Sequence, residues 1–158
     1  MAEAECRALV ATASPEALSA RDAALLIVEP RLIEGGSARP VGLRLREQSS
    51  GRTAVLDCVD GAVVWGAIPP GRWNPEALVP AGGGSGEAIP LAGTVVGMDE
   101  LRLGAGETMH LSHPTWTRQG GALSFSSELD AAGQLATVRR LAPHVGTSLL
   151  LRELGEDG

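Results

Sequence analysis

Asp60-Gly61 stands between two strand-like runs, residues 53–59 and 62–68, and no other feature constrains the fold as tightly. A two-residue Asp-Gly turn suits type I′ geometry, which needs positive φ at both central positions, so the flanking runs are expected to pair antiparallel. Just upstream, residues 41–46 alternate apolar and charged side chains and stop at Ser49-Ser50-Gly51. Three successive strands on short turns predict an antiparallel sheet. Residues 62–68 are apolar on both faces, so that strand should lie in the sheet interior or beneath an N-terminal helix.

The remainder is read around this unit. Ser14-Pro15-Glu16 offers an N-cap, a proline at the first helical position and an early carboxylate, which predicts a helix over 14–24. Pro30 disfavours helical geometry at Glu29, so residues 25–33 read as a strand closed by Gly35-Gly36-Ser37. Between 69 and 90 prolines and glycines crowd together, and the run Gly82-Gly83-Gly84-Ser85-Gly86 resembles a linker; one long surface loop is expected there. Strands follow at 91–98, 101–103 and 107–112, and a late hairpin is expected with its turn at Asp130-Ala131-Ala132-Gly133 and a returning strand over 135–141. Thr147 to Arg152 supplies a last strand. The expectation is a single domain over 1–158, mainly β: an antiparallel sandwich or partly open barrel of about nine strands with one N-terminal helix.

Nineteen acidic residues against 13 basic ones, all arginine, give a net charge of −6. Binding to a nucleic-acid backbone needs a basic surface, so no nucleic-acid partner is expected. Arg44, Arg46 and Arg52 form a local cluster that reads as one polar sheet face. Cys6 and Cys58 belong to no CxxC pair; Cys58 reads as an inert core thiol in a reduced, cytoplasmic setting. Residues 23–28, the longest apolar stretch, fall far short of the roughly 20 residues that a membrane-spanning helix needs, so no membrane partner is expected.

Candidate chemistry concentrates in one segment. His110 and His113, with Glu107 nearby, supply imidazole and carboxylate donors suited to zinc or iron. Gly104 and His110 keep the first spacing of the first cupin motif, which this stretch partly resembles. The pair is His-x-x-His, however, and no Glu follows over 114–121, so no family is assigned. Alternation along a single regular strand would also send His110 and His113 to opposite faces, with His110 on a polar surface. His144 is a weaker third donor. Separately, Arg72 and Trp73, within Pro69-Pro70-Gly71-Arg72-Trp73-Asn74, have the composition of a protein-contact hot spot, with Trp116 as a further ring. The reading favoured is a non-enzymatic interaction or assembly module, an adaptor or structural subunit of a cytoplasmic complex. It binds a protein partner or a second copy of itself and needs no cofactor. The alternative is a small cupin-like metal-dependent enzyme or ligand-binding barrel built on His110 and His113.

Overall fold

A computed structural model describes residues 3–81, 86–91, 100–145 and 149–152. Two helices come first, α1 (Glu3–Ala11) and α2 (Pro15–Ala20). Strands β1 (Ala24–Val28), β2 (Arg31–Glu34), β3 (Ser37–Glu47), β4 (Thr53–Leu56), β5 (Cys58–Asp60), β6 (Val63–Ile68) and β7 (Gly71–Pro80) follow. After them come β8 (Ile89–Pro90), β9 (Leu101–Leu103), β10 (Thr108–Leu111), β11 (His113–Gln119), β12 (Ala122–Glu128), helix α3 (Ala131–Leu141) and β13 (Leu149–Arg152).

The strands form two curled mixed sheets, a half-barrel that agrees with the mainly β expectation. One sheet has the order β13-β10-β1-β6-β5; the other runs β12-β11-β2-β3-β7-β8, with β4 on β3 and β9 on β7. Pairing is not uniformly antiparallel. β1 with β10, β10 with β13, and β2 with β11 are parallel. The short turns fix only sequence neighbours, and these three contacts join strands far apart in the chain.

Strand β1 shows why the sequence forms two layers. Ala24, Leu26 and Val28 enter the core between the sheets, while Leu25 and Ile27 face a second core containing Leu9, Leu18, Val138 and Leu141 from the helices. A strand buried on both faces must be apolar throughout. β6 obeys the same rule, as expected: Val64 and Ile68 face one core, Val63 and Trp65 the other.

Several local expectations need correction. The 53–59 run is two strands: Asp57 breaks it, β4 pairing with β3 in one sheet and β5 with β6 in the other. At the β5–β6 hairpin only Gly61 has positive φ, and the loop residues are Gly61-Ala62; this is the single-glycine II′ pattern. Both-positive turns occur instead at Gly35-Gly36 and Gly120-Gly121.

Ser14 does cap a helix, its Oγ accepting from Ala17 N at 3.2 Å, but α2 ends at Ala20 and α1 precedes it. The 25–33 run splits at Glu29-Pro30 into β1 and β2. Most of the expected 69–90 loop is strand: β7 pairs with β3 from Trp73 to Pro80. Its proline 75 is tolerated at a register shift, where Glu76 is the extra residue of a bulge. Of the glycine run 82–86 and the expected strand 91–98, residues 82–85 and 92–98 lie outside the described residues. Finally, 135–141 is helix and not strand. Asp130 accepts from Gly133 N at 3.1 Å as the N-cap of α3, and Gln134, Val138 and Leu141 are buried at helical spacing.

Cys58 is not a free thiol. It is bonded to Cys6, 52 residues earlier, with the Cα atoms 5.6 Å apart, and so ties α1 to β5.

Candidate functional site: a carboxylate between two histidines

The chain crosses from one sheet to the other at two adjacent places. Glu29-Pro30 links β1 to β2, and Ser112 links β10 to β11. Because β1 lies parallel to β10 and β2 parallel to β11, the crossings run side by side. Glu29 sits between the two imidazoles there, its Oε2 3.5 Å from His110 Nε2 and 3.4 Å from His113 Nδ1. The ring centroids are 6.4 Å apart.

This overturns the alternation argument. His110 and His113 do not occupy one strand; the chain changes sheets between them, so both rings turn toward a shared carboxylate. Nor is His110 a surface residue: its side chain is 0% exposed, against 22% for His113. The Nδ1 of His110 lies against the Leu111 carbonyl. Gln134 of α3, fully buried, packs its amide nitrogen 3.2 Å from that Nδ1 and donates to the His110 carbonyl at 3.3 Å, while its Oε1 accepts from Asp130 N at 3.0 Å. The His110 ring holds the Glu29 carboxyl below the usual carboxylate range against the opposing cost of burial, with attraction from His113 and Arg140 added.

Glu107 is not part of this cluster. Its Oε2 accepts from Gly104 N at 3.0 Å and stabilises the turn before β10. His144 borders a separate groove with Cys6, Trp65 and Arg140. Among the described residues no three His, Cys, Asp or Glu side chains are disposed to hold a metal ion; of the set His110, His113 and Glu107, the two histidines meet Glu29 and Glu107 lies apart from them. Glu29 has one signal in the sequence, a lone charge ending the apolar run 23–28 directly before a proline. Gln134 has none.

The expected contact residues also move. Trp73 is 1% exposed and donates from Nε1 to the Pro69 carbonyl at 2.9 Å; Trp116 is buried against Phe125. Both rings are core, so neither can be offered to a partner, and only Arg72 of that set is exposed. The arginine cluster is a paired polar face: Arg44 and Arg46 share Glu76 at 2.8 and 2.6 Å, and Arg52 meets Glu47 at 2.5 Å.

His113 also faces open space. With Arg31 it separates two surface clefts, one of about 480 Å³ that includes Thr115, Ser126 and Glu128, the other of about 330 Å³ that includes Glu29 and Arg39.

No family model matches the chain, and no curated protein matches it. Among solved structures it is similar to the C-terminal domain of AlgF from P. aeruginosa, at 23% identity over 66% of this chain and 94% of that one, with a TM-score of 0.33. A likeness of that size carries no functional argument. Among the described residues no helix is long and apolar enough to cross a membrane.

Proposed function

We propose that the protein is a non-catalytic assembly module that docks a partner strand along β12. The observation that supports this is the open edge itself. β12 is a regular seven-residue strand, paired on one side with β11 and, among the described residues, with no strand on the other. Long edges are normally guarded by prolines, bulges, inward charges or brevity. β8 has two residues and a proline, and β5 has three. Residues 122–127 of β12 carry no such guard, and Glu128 is its lone charge. Leu123 and Phe125 stay half-buried along it, and Leu129, just beyond its end, is 48% exposed. An incoming strand would satisfy the free backbone groups and cover these side chains. A second copy is the simplest donor, since antiparallel β12–β12 pairing is self-complementary.

The histidine–carboxylate cluster favours a non-catalytic reading as well. Glu29 Oε2 and His110 Nε2 are closed to solvent and face each other, which suits a tie between layers better than a reacting centre. The Cys6–Cys58 bond supports work in an oxidising compartment in place of the expected cytoplasm.

Light scattering across a concentration series tests the proposal. Dimerisation that is abolished by Leu123→Lys, with the fold retained by circular dichroism, supports it. A monomer at every concentration that binds no peptide of the β12 sequence sinks it.

A further inference from the structure

We infer that Cys6 is a site of thiol–disulfide exchange: a dithiol reductant enters the groove beside α1, attacks the Cys6 sulfur, and so releases α1 from the body of the protein. The inference stands apart from the docking of β12, which belongs to the other sheet.

The two sulfurs are unequally placed. Cys58 on β5 is 0% exposed, whereas Cys6 is 8% exposed and lines an open groove of about 540 Å³. Glu3 and Arg7 of α1 stand on one side of that groove, Val59 and Asp60 of β5 on another, and Arg140 and His144 at and beyond the end of α3 on a third. The disulfide runs from the first of these sides to the second. Access decides which sulfur of a disulfide is attacked, and here it selects Cys6. Charge does not bar the way. Arg7 pairs with Glu3 and Arg140 with Asp60, so an approaching thiolate meets matched charges and no net repulsion from them.

The reaction balances with the dithiol alone. One thiolate attacks Cys6 Sγ; a sulfur–sulfur bond to Cys6 forms as the Cys6–Cys58 bond breaks, and the electron pair leaves on Cys58 Sγ, which takes up a proton. The second thiolate of the reductant then attacks the first reductant sulfur and expels Cys6, which is protonated in turn. The protein disulfide gains two electrons and two protons. The dithiol has lost them and departs as a cyclic disulfide.

Release of α1 follows from how little else holds it. Its buried side chains are Cys6 and Leu9, and one of the two is the half-cystine. The pair of Arg7 with Glu3 is internal to the helix. Once the bond is cut, Leu9 and the half-buried Val10 are left to hold nine residues, and a helix of that length is marginal in water without packing. The released segment therefore unwinds as a local unit. Leu18, Leu25, Ile27, Val138 and Leu141 come from α2, β1 and α3, so the rest of the second core stays in place.

Two measurements on the oxidised wild-type protein test this. Glutathione, a monothiol given as a brief pulse at pH 8 without denaturant, marks the sulfur that is attacked; the sample is then acid-quenched, alkylated and digested. Glutathione should be found on Cys6, with Cys58 alkylated, about tenfold over the reverse arrangement. Dithiothreitol next reduces the bond while hydrogen exchange is followed. Amides of residues 7–12 should approach the exchange rate of an unstructured chain, while those of residues 24–28 in β1 stay protected. Glutathione on Cys58, protection at 7–12 that survives reduction, or its loss in β1 together with α1 would each overturn the inference. So would a bond that dithiothreitol reaches only once denaturant has unfolded the chain.

Discussion

Cys6 on α1 is bonded to Cys58 on β5, closing a loop of 52 residues around α2, β1 and the β2–β4 segment. A link of that span restricts the unfolded chain, and the loop-closure estimate is about 4 kcal/mol, with typical measured values of about 2–4. Cys6→Ala with Cys58→Ala should lower the urea midpoint accordingly, and reductant should do the same to wild type. An unchanged midpoint under full reduction would show that the second core holds α1 unaided.

Gly106 fixes the approach of α2 to the turn before β10. Its φ is +82°, and a Cβ there would lie 2.9 Å from the Pro15 carbonyl oxygen, a backbone atom that cannot swing aside. Its N–H also donates to Ala23 O at 2.9 Å. Gly106→Ala combines backbone strain with a clash, for an expected loss of about 2–4 kcal/mol. Gly61→Ala makes a useful control, since it has positive φ but nothing within 4 Å. It should cost less, about 1 kcal/mol, through strain alone. Thermal unfolding of both variants checks the ordering.

Gln134 is a buried amide whose two ends serve different partners, Asp130 N at the start of α3 and the His110 carbonyl on β10. Gln134→Leu keeps most of the volume and removes both bonds. Groups left buried and unpaired cost about 1–3 kcal/mol each, although Asp130 N lies near solvent and should cost least. Chemical denaturation should show a loss of about 2 kcal/mol, with near-UV circular dichroism retained. A neutral result would mean that water replaces the amide.

The parts legible in the sequence were those governed by neighbouring residues. The unbroken apolar run from Val63 and the Asp60-Gly61 turn before it predict β6 and its hairpin because both are decided within a few residues. A capping serine predicts α2 for the same reason. The 130–141 segment fails that approach: Asp130 and Gly133 serve a turn or a helix start equally well, and only burial of Gln134, Val138 and Leu141 on one helical face selects the helix. The histidine pair fails more instructively. Alternation applies within one strand, and Ser112 is where the chain leaves one sheet for the other. Pro30 and Pro114 mark both crossings in the sequence, yet the parallel pairing that sets them side by side joins residues some eighty positions apart, as Ile27 with His110. Local rules have no access to it.

Acid should unfold the protein through a small group of carboxylates. The Ser50 hydroxyl, then Arg52, with Ser49 also contributing, holds Glu47 below the usual carboxylate range. Burial pushes Glu76 upward, but Arg46 and Arg44 outweigh it and its net displacement is also downward. Glu29 is lowered by its histidine neighbour. In each case the folded group binds its proton less readily than the unfolded one, whose pKa is about 4.3. The unfolded chain thus takes up protons first as pH falls. The stabilisation is complete above that unfolded value and disappears as pH drops through the lower folded values. Urea midpoints at pH 6, 4.5 and 3 should fall in that order. Because the Arg46–Glu76 contact is largely exposed, added salt should flatten part of the fall. Ser50→Ala should lessen the dependence further by removing the largest single contribution at Glu47. A midpoint that stays level from pH 6 to 3 would mean that these carboxylates are no better held in the folded chain than in the unfolded one.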